Sequence, residues 1–361
     1  MRTRCIGALL ALLAILGVIA VFAARWWTPD SEFYIGAAER RIRPGCAEIH
    51  CFRVLMPWAI GVLPGPSVVK WKASAVLLNA AAAIAVFDLC LVLGLSRRAS
   101  LISAILTAFG FGSLYTLFEP YRGDSLMFFL APLVTRWALE DRMMRAGVAA
   151  SIGVFAKEFV LVPLAMVAAV DAWAGRWRRA FRAAAAAAAG FVVWLGLNAF
   201  LRLQFGYTYG PNRSPQLLAG SYLAVWLHNM APGAALTAIF NEFGAAYLLI
   251  PFGWVRAPAR LRQLVVAAVP FALALCYVEQ PDRALWNFHF VAGPLAALVL
   301  EPMATGFVAA FLALYAVANL RVGAQILFVP QARYMFAIGL VLASVAVLRV
   351  LQSVRRRAAA S

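Results

Sequence analysis

Charge is scarce in this chain. Only 13% of its 361 residues are Asp, Glu, Lys or Arg, against roughly a quarter in a soluble domain. With 64% hydrophobic residues and a mean hydropathy of +0.84, much of the surface must meet lipid, which argues against a soluble enzyme. Lysine occurs only at positions 70, 72 and 157, so the net charge of +17 is carried mostly by arginine scattered between apolar runs. That placement fits topology anchoring and contact with lipid phosphates, not nucleic-acid binding. His50, His228 and His289 share no metal-ligand spacing, which argues against zinc. No CxxC pair, glycine-rich phosphate loop or nucleophile elbow is present, and no internal repeat is visible.

What is there is a succession of apolar runs. A spanning helix needs about 20 apolar residues, and the hydropathy pattern predicts an all-α polytopic membrane protein of about 12 transmembrane helices. The expected spans lie near 5–25, 71–95, 100–118, 125–138, 145–156, 159–174, 184–204, 234–255, 263–278, 285–301, 305–320 and 334–352. They use the whole length 1–361 as a single bundle and leave no room for a large soluble domain. Residues 1–24 share features with a signal peptide, but the many later spans make an uncleaved first helix the simpler expectation. With both termini cytoplasmic, every second connection carries arginines, including Arg97/Arg98, Arg142/Arg145, Arg176 to Arg182 and Arg355 to Arg357, in keeping with the positive-inside tendency.

Most of the carboxylates and all three histidines fall in the connections on the other side. The first, 26–70, is the longest; within it Ser31 to Ile42 reads as a short interfacial helix with Asp30 or Ser31 capping its start. FRVLMPWAIGVLP (52–64) is too short to span and reads as a dip into the membrane edge. EPYRGD (119–124) is a tight turn, and 205–233 is a second large outer connection. Cys46 and Cys51 share one polar loop; they either close a small disulfide or stay as two free thiols. Cys5, Cys90 and Cys276 fall in expected spans.

Several residues could carry chemistry. Asp30 and Glu32 follow the first span and are either a general base for an acceptor hydroxyl with its neighbour, or a helix cap and a solvated acid. Glu119, Arg122 and Asp124 either orient an acceptor or bind a divalent cation (Mg or Mn), or form a turn satisfied by water. Lys157-Glu158 is the strongest isolated signal: the run 145–156 spans only ~18 Å as a helix, so either the pair lies below the outer membrane surface in a wet cavity or the helix is a short one packed inside the bundle. A charge facing lipid there costs at least ~2.5 kcal/mol, so the pair faces a cavity, either to hold a phosphate or as a mutually neutralising pair. Glu242 invites the same expectation. Asp282-Arg283 opens the tenth expected span, where a helix start and a cation form either a phosphate seat or an interfacial anchor, with His289 close by.

The order of these features resembles the GT-C superfamily of membrane glycosyltransferases. The pieces that carry the resemblance are TPDSEFY (28–34), FRVLMPW (52–58), AKEFVLVPL (156–164) and QPDRALWNFHFVAGP (280–294). The resemblance implies a helical bundle with a catalytic cavity at the outer membrane surface and an inverting transfer of sugar from a polyprenyl-phosphate carrier to a lipid or glycan acceptor. It implies Asp30 as base or acceptor-positioning group and Asp124 as the second acidic position. It assigns Lys157, Arg283 and Arg53 to the donor phosphate, with Tyr34, Glu158, Glu119, Arg122, Asp282 and His289 in support. The first loop lacks the Asp-Asp or Glu-x-Asp pair seen in many members. Ala/Arg-rich, Lys-poor usage adds the expectation of a bacterial inner membrane with a periplasmic active face. A transporter or flippase for a lipid-linked or small solute, and a polymerase or ligase of lipid-linked glycans, are the alternatives.

Overall fold

The structure is a computed structural model that describes residues 2–23, 29–40, 45–47, 49–208, 223, 226–227, 230–278, 281–322, 326–327 and 332–358. Lipid offers no water to backbone amides, so a chain this apolar satisfies them within helices. Apart from one two-residue strand pair, the regular elements among the described residues are helical. The chain divides into two compact units, Met1–Ala85 with Thr116–Val225, and Val86–Tyr115 with Trp226–Ser361.

The first unit carries α1 (Arg2–Phe22), α2 (Pro29–Arg40), α3 (Leu55–Gly61), most of α4 (Ser67–Val92), α7 (Asp124–Leu139), α8 (Met143–Gly153), α9 (Val162–Trp173) and α10 (Trp177–Phe205). Helix α2 starts at Pro29, so Asp30 and Ser31 lie inside its first turn and not ahead of it as expected. Proline fits a first helical position because its missing N–H would have no helical partner there. Tyr34 and Ala38 of α2 pack on Met56 and Ile60 of α3, over Trp71, Tyr121 and Ala156. The two helices approach so closely at Gly61 that a Cβ there would lie 2.3 Å from the Ala38 carbonyl oxygen.

The arginines gather at one end of this unit. Arg179 donates to the carbonyls of Ala138 and Leu139 at 3.3 and 3.1 Å, capping the C-terminus of α7. Arg176 and Arg179 meet the buried Asp171 at 2.7 and 3.4 Å, and Arg136 meets Glu140 at 3.1 Å. Asp124 opens the opposite end of α7, about 24 Å away at 1.5 Å per residue.

The second unit holds α5 (Arg97–Ala108), most of α6 (Phe111–Phe118), α11 (Pro232–Phe243), α12 (Ile250–Gly253), α13 (Ala259–Val278), α14 (Pro281–Trp286), α15 (His289–Leu300), α16 (Thr305–Ala318) and α17 (Ala332–Ala358). Strands β1 (Arg321–Val322) and β2 (Ile326–Leu327) pair antiparallel, Arg321 opposite Leu327. The core joins Leu106 of α5, Leu300 of α15, Phe311 and Tyr315 of α16 and Val347 of α17. Trp286 lies flat where Gly110 and Gly112 leave room, since a Cβ at either would sit 1.8 or 2.2 Å from the indole.

By length and apolarity five helical stretches among the described residues can cross a membrane: Ser67–Val92, Arg97–Phe118, Trp177–Phe205, Ala259–Cys276 and Tyr334–Val354. Pro232–Leu248 with Ile250–Arg256, bent by 52°, makes a sixth if it is one span. Among the described residues the expected 12 spans are thus not all found. Hydropathy registers an apolar run without its helical length, and α7, α8 and α9 have 16, 11 and 12 residues. At 1.5 Å per residue they fall short of the ~30 Å hydrocarbon core. Leu9–Phe22, His289–Leu300 and Thr305–Ala318 are likewise apolar and short. Helix α10 behaves differently: only 17% of its apolar window is buried, so it turns its surface to lipid.

Candidate active site

Three connections of the first unit meet at the Asp124 end of α7. Leu55 N–H donates to the Phe155 carbonyl at 3.0 Å, which ties the segment after Phe52 to the end of α8. Gly123 sits against Ala156, whose carbonyl oxygen would be 3.0 Å from a Cβ at 123. Helix α8 stops at Gly153, and Lys157 turns extended (φ −164°, ψ 136°) before a short 3-10 turn over Glu158–Leu161. The turn 119–124 is thereby laid beside Lys157.

Ionic pairs link these connections. Lys157 Nζ donates to Asp124 Oδ1 at 2.9 Å, Arg53 Nη2 to Glu158 Oε2 at 3.3 Å, and Arg122 Nε to Glu119 Oε1 at 2.8 Å. Lys157 and Glu158 do not neutralise each other; each engages a residue from a different connection. The pairs are graded in depth. Glu119 is 0% exposed and its Arg122 8%, Lys157 and Asp124 are 5% and 13%, and Arg53 and Glu158 reach 14% and 35%. Charges at that depth are tolerated only when paired and hydrogen-bonded.

Tyr34 joins α2 to this cluster. Its hydroxyl lies 3.3 Å from His50 Nδ1 and hydrogen-bonds Arg53. Burial pushes that hydroxyl above the ordinary 10.0; Arg53 and Arg122 pull it down and Asp124 pushes it up. The phenol is therefore a neutral O–H at physiological pH. His50, stacked on Phe33 at 6.4 Å and edge-on to Tyr34 at 5.7 Å, was not among the candidates. Its one signal in the sequence is its place three residues before Arg53.

A disulfide joins Cys46 to Cys51, resolving the two alternatives for that loop. The loop is pinned to the end of α10, with Gly45 N–H on the Phe205 carbonyl at 2.8 Å and Thr208 N–H on that of Cys46 at 3.0 Å. Phe52 meets Tyr207 edge-on at 5.7 Å. The bridge closes a loop of about six residues, for which chain entropy gives about 2 kcal/mol. Cys46→Ser with Cys51→Ser is expected to lower stability by about that amount in a denaturation series, and reduction of the wild type is expected to lower it equally.

The other candidates are placed as follows. Asp30 lies on the α2 backbone one turn before Tyr34, and its side chain is outside the described residues. Glu32 is exposed and makes no ion pair among the described residues. Asp282 and Arg283 are in α14 of the second unit, which starts at Pro281 and so takes Asp282 inside the helix; their side chains are outside the described residues. His289 is buried in the second unit's core, with Nδ1 2.9 Å from the Trp286 carbonyl and its ring stacked on Trp286 at 5.3 Å. Glu242 is buried in α11. His228 and most of 205–233 lie outside the described residues.

Among the described residues no three His, Cys, Asp or Glu side chains gather where they could hold a metal. Asp124 and Glu119 each face a basic side chain instead. Among the described residues this donor set does not fit a metal centre.

No protein-family model matches the sequence, and no curated protein does. Solved structures do. The crystal structure of the Archaeoglobus fulgidus oligosaccharyltransferase in the apo form superposes with a TM-score of 0.50 at 14% identity, over 94% of this chain and 56% of that one. The archaeal oligosaccharyltransferase AglB from Archaeoglobus fulgidus, solved with an inhibitory peptide and a dolichol-phosphate, gives 0.52 at 15% identity, over the same shares. The chain thus spans little more than half the length of the proteins it matches. At such identity the likeness is one of fold, and it is carried by nearly the whole chain: this is a helical membrane protein whose fold is similar to that of these oligosaccharyltransferases.

Proposed function

We propose that this protein is an integral-membrane glycosyltransferase that moves a sugar from a polyprenyl-phosphate carrier to a lipid or glycan acceptor. The observation that carries the proposal is the meeting of Arg53, Arg122 and Lys157 with Glu119, Asp124 and Glu158 at one end of the first unit, opposite the arginine-rich end. The GT-C-like fold supports it, as does the dolichol-phosphate held by one protein of that fold. In this proposal the cluster faces the periplasm of a bacterial inner membrane, with both termini cytoplasmic and α2 lying along the outer interface.

The chemistry asks for a base on the acceptor, cations on the departing phosphate and shelter from water. Asp30 takes the acceptor proton as the acceptor oxygen attacks the anomeric carbon. A new C–O bond forms on one face while the carbon–phosphate-oxygen bond breaks on the other, so the configuration inverts. The bonding electrons leave with the polyprenyl phosphate. Lys157 and the more exposed Arg53 receive that charge. Asp124 and Glu158 hold the two cations in place, and the deeper Glu119–Arg122 pair fixes the turn that carries Asp124. Arg283 of the second unit is a separate candidate for the donor phosphate.

The test is purified protein in liposomes loaded with a membrane extract carrying polyprenyl-phosphate sugars. Mass spectrometry follows the release of free polyprenyl phosphate and the glycosylated product. Wild type is expected to generate both. Asp30→Asn is expected to fold and to lose about 10²-fold or more of the rate, the scale of a lost general base. Full activity in the folded variant removes Asp30 from the role. Movement of solute or lipid across the bilayer with no transfer product overturns the enzyme itself.

A further inference from the structure

The other end of the first unit carries a feature that glycosyl transfer does not use. Helices α8 and α10 run parallel. Arg182 reaches Asp141 at 3.1 Å; farther along, a Cβ on Gly147 would be 3.3 Å from that of Ala186, and one on Gly190 would be 3.5 Å from Ser151 Oγ. Small residues make this seam close, and between the helices lies a cleft of about 570 Å3. That is within the roughly 300–1,000 Å3 of ligand pockets. Ala186 and Ala189 form its floor, while Val148, Ile152 and Phe181, all more than half exposed, form its walls.

The cleft is apolar along its length and basic at one end. Arg182 lines it there. Arg178 lies one turn before Arg182, and Arg145 one turn before Val148. Both are exposed, and neither makes an ion pair among the described residues. Seven arginines (136, 142, 145, 176, 178, 179 and 182) gather around this end, with Glu140, Asp141 and Asp171 as the carboxylates. The surplus is positive and sits where both α8 and α10 begin, so the helix dipoles add to it. An apolar trough on the lipid-facing helix, closed by surplus arginine, matches a ligand with a long chain and an anionic phosphate head.

We infer that the α8–α10 cleft is a binding site for an anionic phospholipid of the surrounding membrane. One acyl chain lies over Ala186 and Ala189, and the phosphate and head group rest on Arg182, Arg178 and Arg145. Arginine suits this because its fork of donors engages phosphate oxygens in pairs. The inference does not depend on glycosyl transfer, and it concerns the end of α7 remote from Asp124.

The test uses the full chain, delipidated in detergent and titrated with phosphatidylglycerol or phosphatidylcholine under native mass spectrometry. Wild type is expected to retain phosphatidylglycerol in clear preference. Juxtamembrane arginines contribute enough that each one lost weakens an anionic lipid roughly fivefold. Arg178→Gln is therefore expected to bind about fivefold more weakly, and Arg145→Gln/Arg178→Gln about 25-fold. Arg178→Lys, which keeps the charge but not the fork, is expected to bind more tightly than Arg178→Gln and less tightly than wild type. Ala189→Phe, which fills the trough, is expected to lose both lipids while its gel-filtration profile stays unchanged. Equal binding of the two lipids by wild type, adducts that survive both kinds of substitution, or a protein dimer in place of lipid adducts would each overturn the assignment.

Discussion

Lys157→Met is expected to lower sugar transfer by about 10²–10³-fold, the loss seen when a fixed group facing the developing charge is removed. The substitution also takes away the cation facing Asp124, and breaking a buried pair from one side costs about 3–5 kcal/mol. The two effects separate in a second variant. Lys157→Met/Asp124→Asn removes both charges, so it is expected to regain most of the stability while activity stays low. Thermal melts and transfer rates measured on the same preparations decide. A double variant that regains both makes the pair a structural device. A single variant that keeps its rate takes Lys157 out of the chemistry.

Glu119→Gln is expected to have the largest effect on stability. The carboxylate is fully buried, 2.8 Å from an arginine that is itself 8% exposed, and it opens the turn on which Asp124 is carried. Replacing it leaves the Arg122 charge in place at that depth and removes its carboxylate partner, a loss of about 3–5 kcal/mol. Arg122→Met/Glu119→Met is expected to lose much less, since replacing a buried pair by apolar groups of similar volume is often neutral. Denaturant midpoints of the two variants in one detergent distinguish this from a surface pair, whose loss would cost about 0–1 kcal/mol.

How far the sequence could be followed depends on the range of the interaction. Apolar runs are a local property, so the helical membrane class and the long helices Ser67–Val92 and Trp177–Phe205 are legible from composition alone. The number of spans is not, because a twelve-residue apolar helix packed on its neighbours and a segment of a longer span have the same hydropathy. Lys157-Glu158 stands out because two charges interrupt an apolar region. What they do is not local: Asp124 lies 33 residues before Lys157, and Arg53 lies 105 before Glu158. No spacing rule could have assigned those partners, and the natural guess that adjacent opposite charges pair with each other fails. The helix starts at Pro29 and Pro281 lie two residues before the expected ones for a simpler reason. An Asp after a Pro looks like a cap, whereas the proline itself takes the first helical position.

Photo-crosslinking with a benzophenone-tagged polyprenyl phosphate tests the central claim most directly. Labelled peptides from the purified wild-type protein are expected to map to 119–124 and 153–161. Excess untagged polyprenyl phosphate should abolish the labelling, and Lys157→Met should reduce it at least tenfold. Labelling that falls elsewhere, or that persists unchanged in the variant, would contradict a carrier phosphate seated beside Lys157.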